Sequence, residues 1–195
     1  MKLHEEYNVG LDIFRIMCCT GVLIYHTVQY CQLVGFAKLI YFSASFCVPG
    51  FFLLSGFLLG DKDDLTREYC EKKIKHTMTM LFGWIIFWGV IRYILTGEVI
   101  DIWQNFTHGV SSGGILPVAW FIFSYSVLMI LAYPLHKLKN RHRLLFIALG
   151  LSWAVVLGVV GKIRGSVYLP KSQSMQLHIY GCYFILGMCL SLQKS

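Results

Sequence analysis

The chain has 195 residues, of which 56% are hydrophobic and only 14% are charged, and its formal net charge is +7. This composition excludes an ordinary soluble domain and indicates a protein that crosses a membrane several times. A basic balance can indicate a nucleic-acid partner, but the sequence contains neither a nucleotide P-loop nor a GxGxxG element. We therefore expect the lipid bilayer as a partner and no nucleic acid.

The apolar segments predict an all-α polytopic bundle of about six transmembrane helices, read as one transmembrane domain over residues 1–195. Each segment approaches the roughly 20 residues that a helix needs to cross a bilayer. Two basic clusters, 62–75 and 137–143, fall on the same side as both termini, so the positive-inside rule predicts cytoplasmic termini and a multi-pass protein of the cell membrane. The predicted spans are residues 9–32, 40–60, 78–95, 114–135, 144–161 and 175–192.

The first span contains an arginine and a histidine, Arg15 and His26, eleven residues apart. At about 100° per residue their side chains return to one face of a helix, separated by roughly 16 Å along its axis. Because charged and titratable groups are costly in hydrocarbon, the pair suggests a shared polar pocket. The alternative is that Arg15 reaches the headgroups beside Asp12 while His26 is a core residue.

The second span contains the segment FCVPGFFLLSGFLL, residues 46–59. Pro49 and Gly50 permit a kink or a close helix approach, because proline removes a backbone donor and glycine has no side chain. Ser55 and Gly56 offer a small surface to a neighbouring helix. The residues alone favour a packing motif over a direct role in chemistry.

The chain contains seven cysteines. No pair has the spacing of metal ligands, and five of them lie in or at the edge of apolar spans. We expect neither a disulfide framework nor a metal ion, and interpret the cysteines as small core residues.

Four segments together resemble the acyltransferase family 3 of membrane O-acyltransferases. LDIFRIMCCTGVLIYH matches the family's arginine and histidine in the first span, and VPGFFLLSGFLL matches the motif of its second span. VAWFIFSYSVLMILAYPL and YFILGMCLS resemble two later spans. The family commonly has an Arg-x-x-Arg element before the third span, where this chain has Lys73 and His76. Members typically have about ten spans, so the resemblance implies that this chain is an N-terminal portion, a truncated product or a minimal relative.

The resemblance implies transfer of an acyl group, usually acetyl, from cytoplasmic acetyl-CoA to a hydroxyl of a cell-surface carbohydrate. His26 would be the general base or a transient acyl acceptor, and these two roles stay open. Arg15 would steady the pantetheine arm or the thioester, and the basic loop would attract the nucleotide phosphates. The catalytic candidates are His26 and Arg15; the donor-binding candidates are Arg15, Lys72, Lys73, Lys75 and His76; the pocket candidates are Pro49, Phe51, Ser55 and Trp120.

Two other functions are compatible with charged residues inside apolar spans. A transporter or lipid-flipping protein would also place them there, although spans one to three show no convincing similarity to spans four to six. A non-catalytic membrane partner that keeps only part of the pocket is the third possibility. Binding of acetyl-CoA would distinguish the enzyme from the transporter.

Overall fold

The computed structural model describes residues 9–28, 35–110, 119–163 and 177–191. These residues form α-helices joined by short connections, with no strand among them. The predicted all-α class is therefore confirmed. In chain order the helices are α1 (Val9–Val28), α2 (Phe36–Ala44), α3 (Cys47–Gly60), α4 (Arg67–Thr96), α5 (Ile102–Val110), α6 (Ala119–His136), α7 (Asn140–Ile163) and α8 (Leu177–Ser191).

Four stretches of the described helices are long and apolar enough to cross a membrane. α7 covers the uncharged stretch predicted as the fifth span, and α8 is apolar but 15 residues long. The described residues are thus all-helical, with helices of the length and composition that a membrane requires, and a total of six spans stays a prediction. The four stretches are Val9–Thr27, Lys38–Gly60, Arg67–Thr96 and Ala119–His136.

The second span is broken into α2 and α3 at Ser45 and Phe46. Pro49 has no N–H to offer the carbonyl of Ser45, four residues earlier, so a regular helix cannot continue through this point. The Ser45 hydroxyl instead donates to the Phe42 carbonyl at 2.6 Å, and α3 begins at Cys47. Pro49 therefore lies in the first turn of α3, and the break precedes it.

The basic segment before the third span is part of one continuous helix rather than a separate surface helix. Thr66 caps α4, because its side chain accepts a hydrogen bond from the Tyr69 N–H at 3.2 Å. Thirty residues make a helix of about 45 Å, longer than the roughly 30 Å of bilayer hydrocarbon. The charged first turns of α4 therefore extend beyond the apolar layer that its later turns cross.

The segment after α4 contains a short helix, α5, that the sequence pattern did not predict. Asp101 begins it, since its carboxylate accepts the N–H groups of Trp103 and Gln104 at 2.8 and 3.0 Å. Phe106 stacks on Phe82 of α4, with ring centroids 5.2 Å apart. This aromatic contact holds α5 against the C-terminal half of α4.

Helices α3, α6 and α8 run in the same direction. Near their starts, Phe52 stacks on Tyr180 at 5.0 Å and Tyr180 lies 5.4 Å from Trp120. Near their ends, a Cβ on Gly60 of α3 would meet Met188 of α8. The ends of these three helices therefore lie at one end of the bundle.

Helices α1 and α7 run opposite to this group. Tyr25 of α1 is level with Tyr41 of α2, whereas Cys18 is level with Gly50 further along the second span. These directions place the two basic clusters, after α3 and after α6, at the same end, where the Lys62 carbonyl lies 3.0 Å from the His136 ring. We call this the basic end of the bundle. The side of the membrane that this end faces stays a prediction.

Candidate functional site

Arg15 and His26 share one flank of α1, beside the face that packs against the second span. Phe14 and Cys18 approach Gly50, and Gly21 lies against Cys47. At about 100° per residue, Arg15 and His26 lie roughly 100° around the helix from this packing face. Arg15 and His26 thus lie on one flank of α1, as their spacing predicts, at the edge of the contact between α1 and the second span.

Arg15 makes an ion pair within its own helix. Its guanidinium donates to the Asp12 carboxylate at 2.8 Å, and the Arg15 side chain is 48% exposed. A guanidinium has five N–H donors, so one bond to Asp12 leaves capacity for a ligand. Arg15 lies in the half of α1 nearer the basic end.

His26 lies next to an aromatic pair that joins α1 to α2. Its half-buried ring is edge-on to Tyr25, with centroids 5.7 Å apart. Tyr25 stacks on Tyr41 at 4.4 Å, and the Tyr41 hydroxyl donates to the Tyr25 hydroxyl at 2.6 Å. Sequence reasoning missed both tyrosines, because aromatic residues are common in apolar spans and nothing else distinguished them.

Of the four pocket candidates, Phe51 and Trp120 take part in contacts between helices. Trp120 is buried, with 6% of its surface exposed, and it and Phe51 both make edge contacts with Phe121. The Ser55 hydroxyl donates to the Phe51 carbonyl at 2.7 Å. On a helix, Pro49 lies about 160° around from Phe51, so these two side chains leave α3 on different sides.

Besides Arg15, the predicted donor-binding residues lie on the first turns of α4, and these four are exposed. Lys72, Lys73 and His76 fall within about 100° of one another around the helix, and Lys75 lies about 60° to one side. Tyr69 lies on the same face, with the Lys73 ammonium 5.8 Å from its ring centroid. These residues form a basic face on α4.

Lys62, from the loop after α3, joins this face. Its ammonium lies 4.6 Å above the Tyr69 ring centroid. The Lys62 carbonyl lies 3.0 Å from the His136 ring Nε2, so Nε2 carries the proton and donates to this carbonyl. The last turn of α6 is thereby tied to the loop that leads into the basic face.

Arg143 is the buried charge at this end of the bundle, and sequence reasoning treated it as one more loop cation. Only 1% of its surface is exposed. It donates to the carbonyls of His136 at 2.6 Å, Leu135 at 2.9 Å and Met188 at 3.3 Å, and to the Asn140 side chain at 3.3 Å. Arg143 therefore joins the ends of α6 and α8 to the start of α7.

Within the described part of the chain, no group of three or more His, Cys, Asp or Glu residues could hold a metal ion. The cysteines described there are free thiols, and Cys18, Cys47, Cys70 and Cys182 are buried.

Comparison with known proteins identifies the family to which the chain belongs. No curated protein and no solved structure matches the chain. The family model described as "Acyltransferase domain" matches residues 8–193, nearly the whole chain. The match covers α1 with its Arg15 and His26, the second span, and the helices that form the basic end. The chain therefore belongs to this acyltransferase family, and it is a membrane protein of that family.

Proposed function

We propose that the chain moves an acetyl group from cytoplasmic acetyl-CoA to a hydroxyl of a cell-surface carbohydrate, in the cell membrane. One observation carries the proposal: in a chain of an acyltransferase family, Arg15 and His26 share a flank of a membrane span, with Arg15 nearer the basic end. The positive-inside rule places the basic end in the cytoplasm, where the donor is found.

The reaction needs a base, and His26 can supply one in the first span. Its neutral imidazole would take the proton of the acceptor hydroxyl as that oxygen attacks the thioester carbonyl carbon. The C–S bond then breaks, the acetyl group stays on the acceptor oxygen, and the proton passes to the departing thiolate. In the other role left open, the imidazole itself would carry the acetyl group between donor and acceptor.

The distance between the two residues decides what Arg15 can contact. Eleven residues of helix separate them by roughly 16 Å, so both cannot touch one thioester. With His26 at the reacting carbonyl, Arg15 would hold the donor nearer the cytoplasm, along the pantetheine arm or at a phosphate. An extended arm has a comparable length.

The basic face on α4, together with Lys62, would hold the nucleotide phosphates of the donor. Four cationic or titratable side chains, Lys72, Lys73, Lys75 and His76, lie within two turns of helix beyond the apolar layer. Several like charges in a small area attract a polyanion and leave a strong dependence on salt. Tyr69 offers an aromatic surface between Lys62 and Lys73.

Titration of acetyl-CoA into the purified chain, reconstituted in lipid nanodiscs, tests the function. Saturable binding is expected, followed by release of free CoA when membranes containing surface carbohydrate are added. A chain that does not bind acetyl-CoA would contradict the proposal. Transport of a solute without any dependence on the coenzyme would favour the transporter instead.

Removing two charges from the basic face should weaken donor binding. In the double variant Lys72→Gln, Lys73→Gln we expect the affinity for acetyl-CoA to fall about tenfold, since each exposed charge pair contributes up to about 1 kcal/mol. The dependence of affinity on salt should also become shallower. Titrations at two salt concentrations measure both effects.

Lys38→Gln is the control for this charge change. Lys38 is exposed on α2, towards the opposite end of the second span from the loop that leads into α4. It should bind acetyl-CoA like the unaltered chain. An equal loss in the control and in the double variant would show that net charge matters and the basic face does not.

A further inference from the structure

Arg143 is buried at the basic end, where the other cationic side chains of the two loops are largely exposed. A buried charge is tolerated when hydrogen bonds replace its water. The Arg143 guanidinium has such acceptors: three backbone carbonyls and the side-chain amide of Asn140, at 2.6 to 3.3 Å. Its place in the structure is therefore fixed by several bonds.

The three carbonyls lie in the final turns of two parallel helices. Leu135 and His136 end α6, and Met188 is close to the end of α8. Carbonyls in a last turn lack the regular bond to an N–H four residues later, and the helix dipole makes this end negative. The Leu135 carbonyl also accepts from the Leu138 N–H at 3.1 Å, and the Met188 carbonyl from the Ser191 hydroxyl at 2.9 Å. The guanidinium adds a bond to both helix ends at once and so fixes their relative position.

From His136 the contacts continue to the basic face. Arg143 holds the His136 carbonyl, and the His136 ring donates to the Lys62 carbonyl at 3.0 Å. The Lys62 side chain then lies over Tyr69, as Lys73 does at a longer distance. A continuous series of contacts therefore connects the buried Arg143 to the residues that would bind a nucleotide.

We propose that Arg143 is a positioning residue for the donor: through His136 it sets the place of Lys62 beside Tyr69 and Lys73, so that the basic face accepts the phosphates of coenzyme A. The inference rests on the proposed function for its ligand. It separates two parts of donor recognition, because the phosphates would depend on Arg143 and His136, whereas the thioester and its arm would not.

Two probes test the separation on the full chain in nanodiscs: acetyl-CoA, and acetyl-pantetheine, which has the thioester and the arm but no nucleotide. In Arg143→Gln and in His136→Ala we expect affinity for acetyl-CoA to fall about five- to tenfold. Affinity for acetyl-pantetheine should stay within about twofold. His136→Gln should restore acetyl-CoA binding, because its amide N–H can also donate to the Lys62 carbonyl.

The matched control is Arg141→Gln, which removes the same charge from an exposed position two residues away in α7. It should leave both affinities unchanged. If Arg143→Gln fails to fold, His136→Ala decides the question, since it leaves the guanidinium and its carbonyl partners intact.

Three results would overturn the inference. Equal losses for both probes would mean that Arg143 and His136 act only on the fold. Unchanged acetyl-CoA binding in His136→Ala would mean that the contacts to Lys62 do not reach the donor. Failure of the unaltered chain to bind either probe would overturn the proposed function, and the inference with it.

Discussion

Replacing His26 with alanine should lower acetyl transfer by about a hundred- to ten-thousand-fold, the usual contribution of a general base. The affinity for acetyl-CoA should change little, because the donor is held mainly at the basic end, roughly 16 Å from His26. Transfer of radiolabelled acetyl groups to the carbohydrate of membranes that contain the chain measures the first effect. Titration in nanodiscs measures the second.

His108→Ala is the control for removing an imidazole. His108 is exposed on α5, and α5 packs against the C-terminal half of α4. This variant should transfer acetyl groups at the normal rate. If His26→Ala did the same in a preparation whose unaltered chain is active, His26 would have no part in the chemistry.

The same assay separates the two roles of His26. Without an acceptor, a transient carrier would leave a labelled acetyl group on the protein after rapid denaturation, and this label should disappear in His26→Ala. A general base would leave none. The two roles also predict different steady-state kinetics. A carrier gives ping-pong kinetics, because free CoA can leave before the acceptor binds, whereas a general base requires donor and acceptor to be bound together.

Much of this fold follows from patterns that the sequence shows directly. The uninterrupted apolar segments predict the helices, and the distribution of lysine and arginine predicts the alternation that brings the basic clusters together. The spacing of Arg15 and His26 predicts their common flank, since it depends only on helix geometry. The close approach at Gly50 also follows locally, because glycine has no side chain to keep Cys18 and Phe14 away.

Other features depend on contacts between distant segments, and no local pattern contains them. In the sequence, Arg143 is one of several cations in a basic loop. Only the structure shows that the ends of α6 and α8 surround it. The pairing of Tyr25 with Tyr41 requires α1 and α2 to lie side by side. A break in the second span could be predicted from the sequence, since Pro49 cannot supply an N–H. Its position at Ser45 follows only once the helical register is known, because the missing bond is the one to the carbonyl four residues earlier.

A single methyl group on Gly56 should disrupt the contact between α3 and α8. A Cβ at this position would overlap the carbonyl of Phe184, and one on Gly187 would overlap the carbonyl of Leu53 and approach the Phe57 nitrogen at 2.7 Å. The glycines thus let each backbone rest against the other, as small residues do between membrane helices. The interpretation of Gly56 as a packing residue is confirmed.

Since backbone atoms cannot rotate away as a side chain can, Gly56→Ala and Gly187→Ala should cost at least the roughly 1–3 kcal/mol of ordinary overpacking. We expect a clear fall in the thermal unfolding midpoint of the purified chain. The reaction of the buried cysteine thiols with a thiol-specific dye during heating measures this midpoint. Donor binding should fall with it, because Met188, one acceptor of Arg143, lies on the displaced helix.

Gly83→Ala tests whether the effect belongs to the interface or to glycine itself. Gly83 is exposed in the middle of α4, and a Cβ there would have no atom of the described chain within 4 Å. Alanine is the better helix former by about 1 kcal/mol in water, so this variant should unfold at the same temperature or slightly higher. The same change is thus expected to act in opposite directions at the two sites. A midpoint for Gly56→Ala equal to that for Gly83→Ala would show that α3 and α8 do not meet through their backbones, and the common end of α3, α6 and α8, on which the basic face depends, would lose its main support.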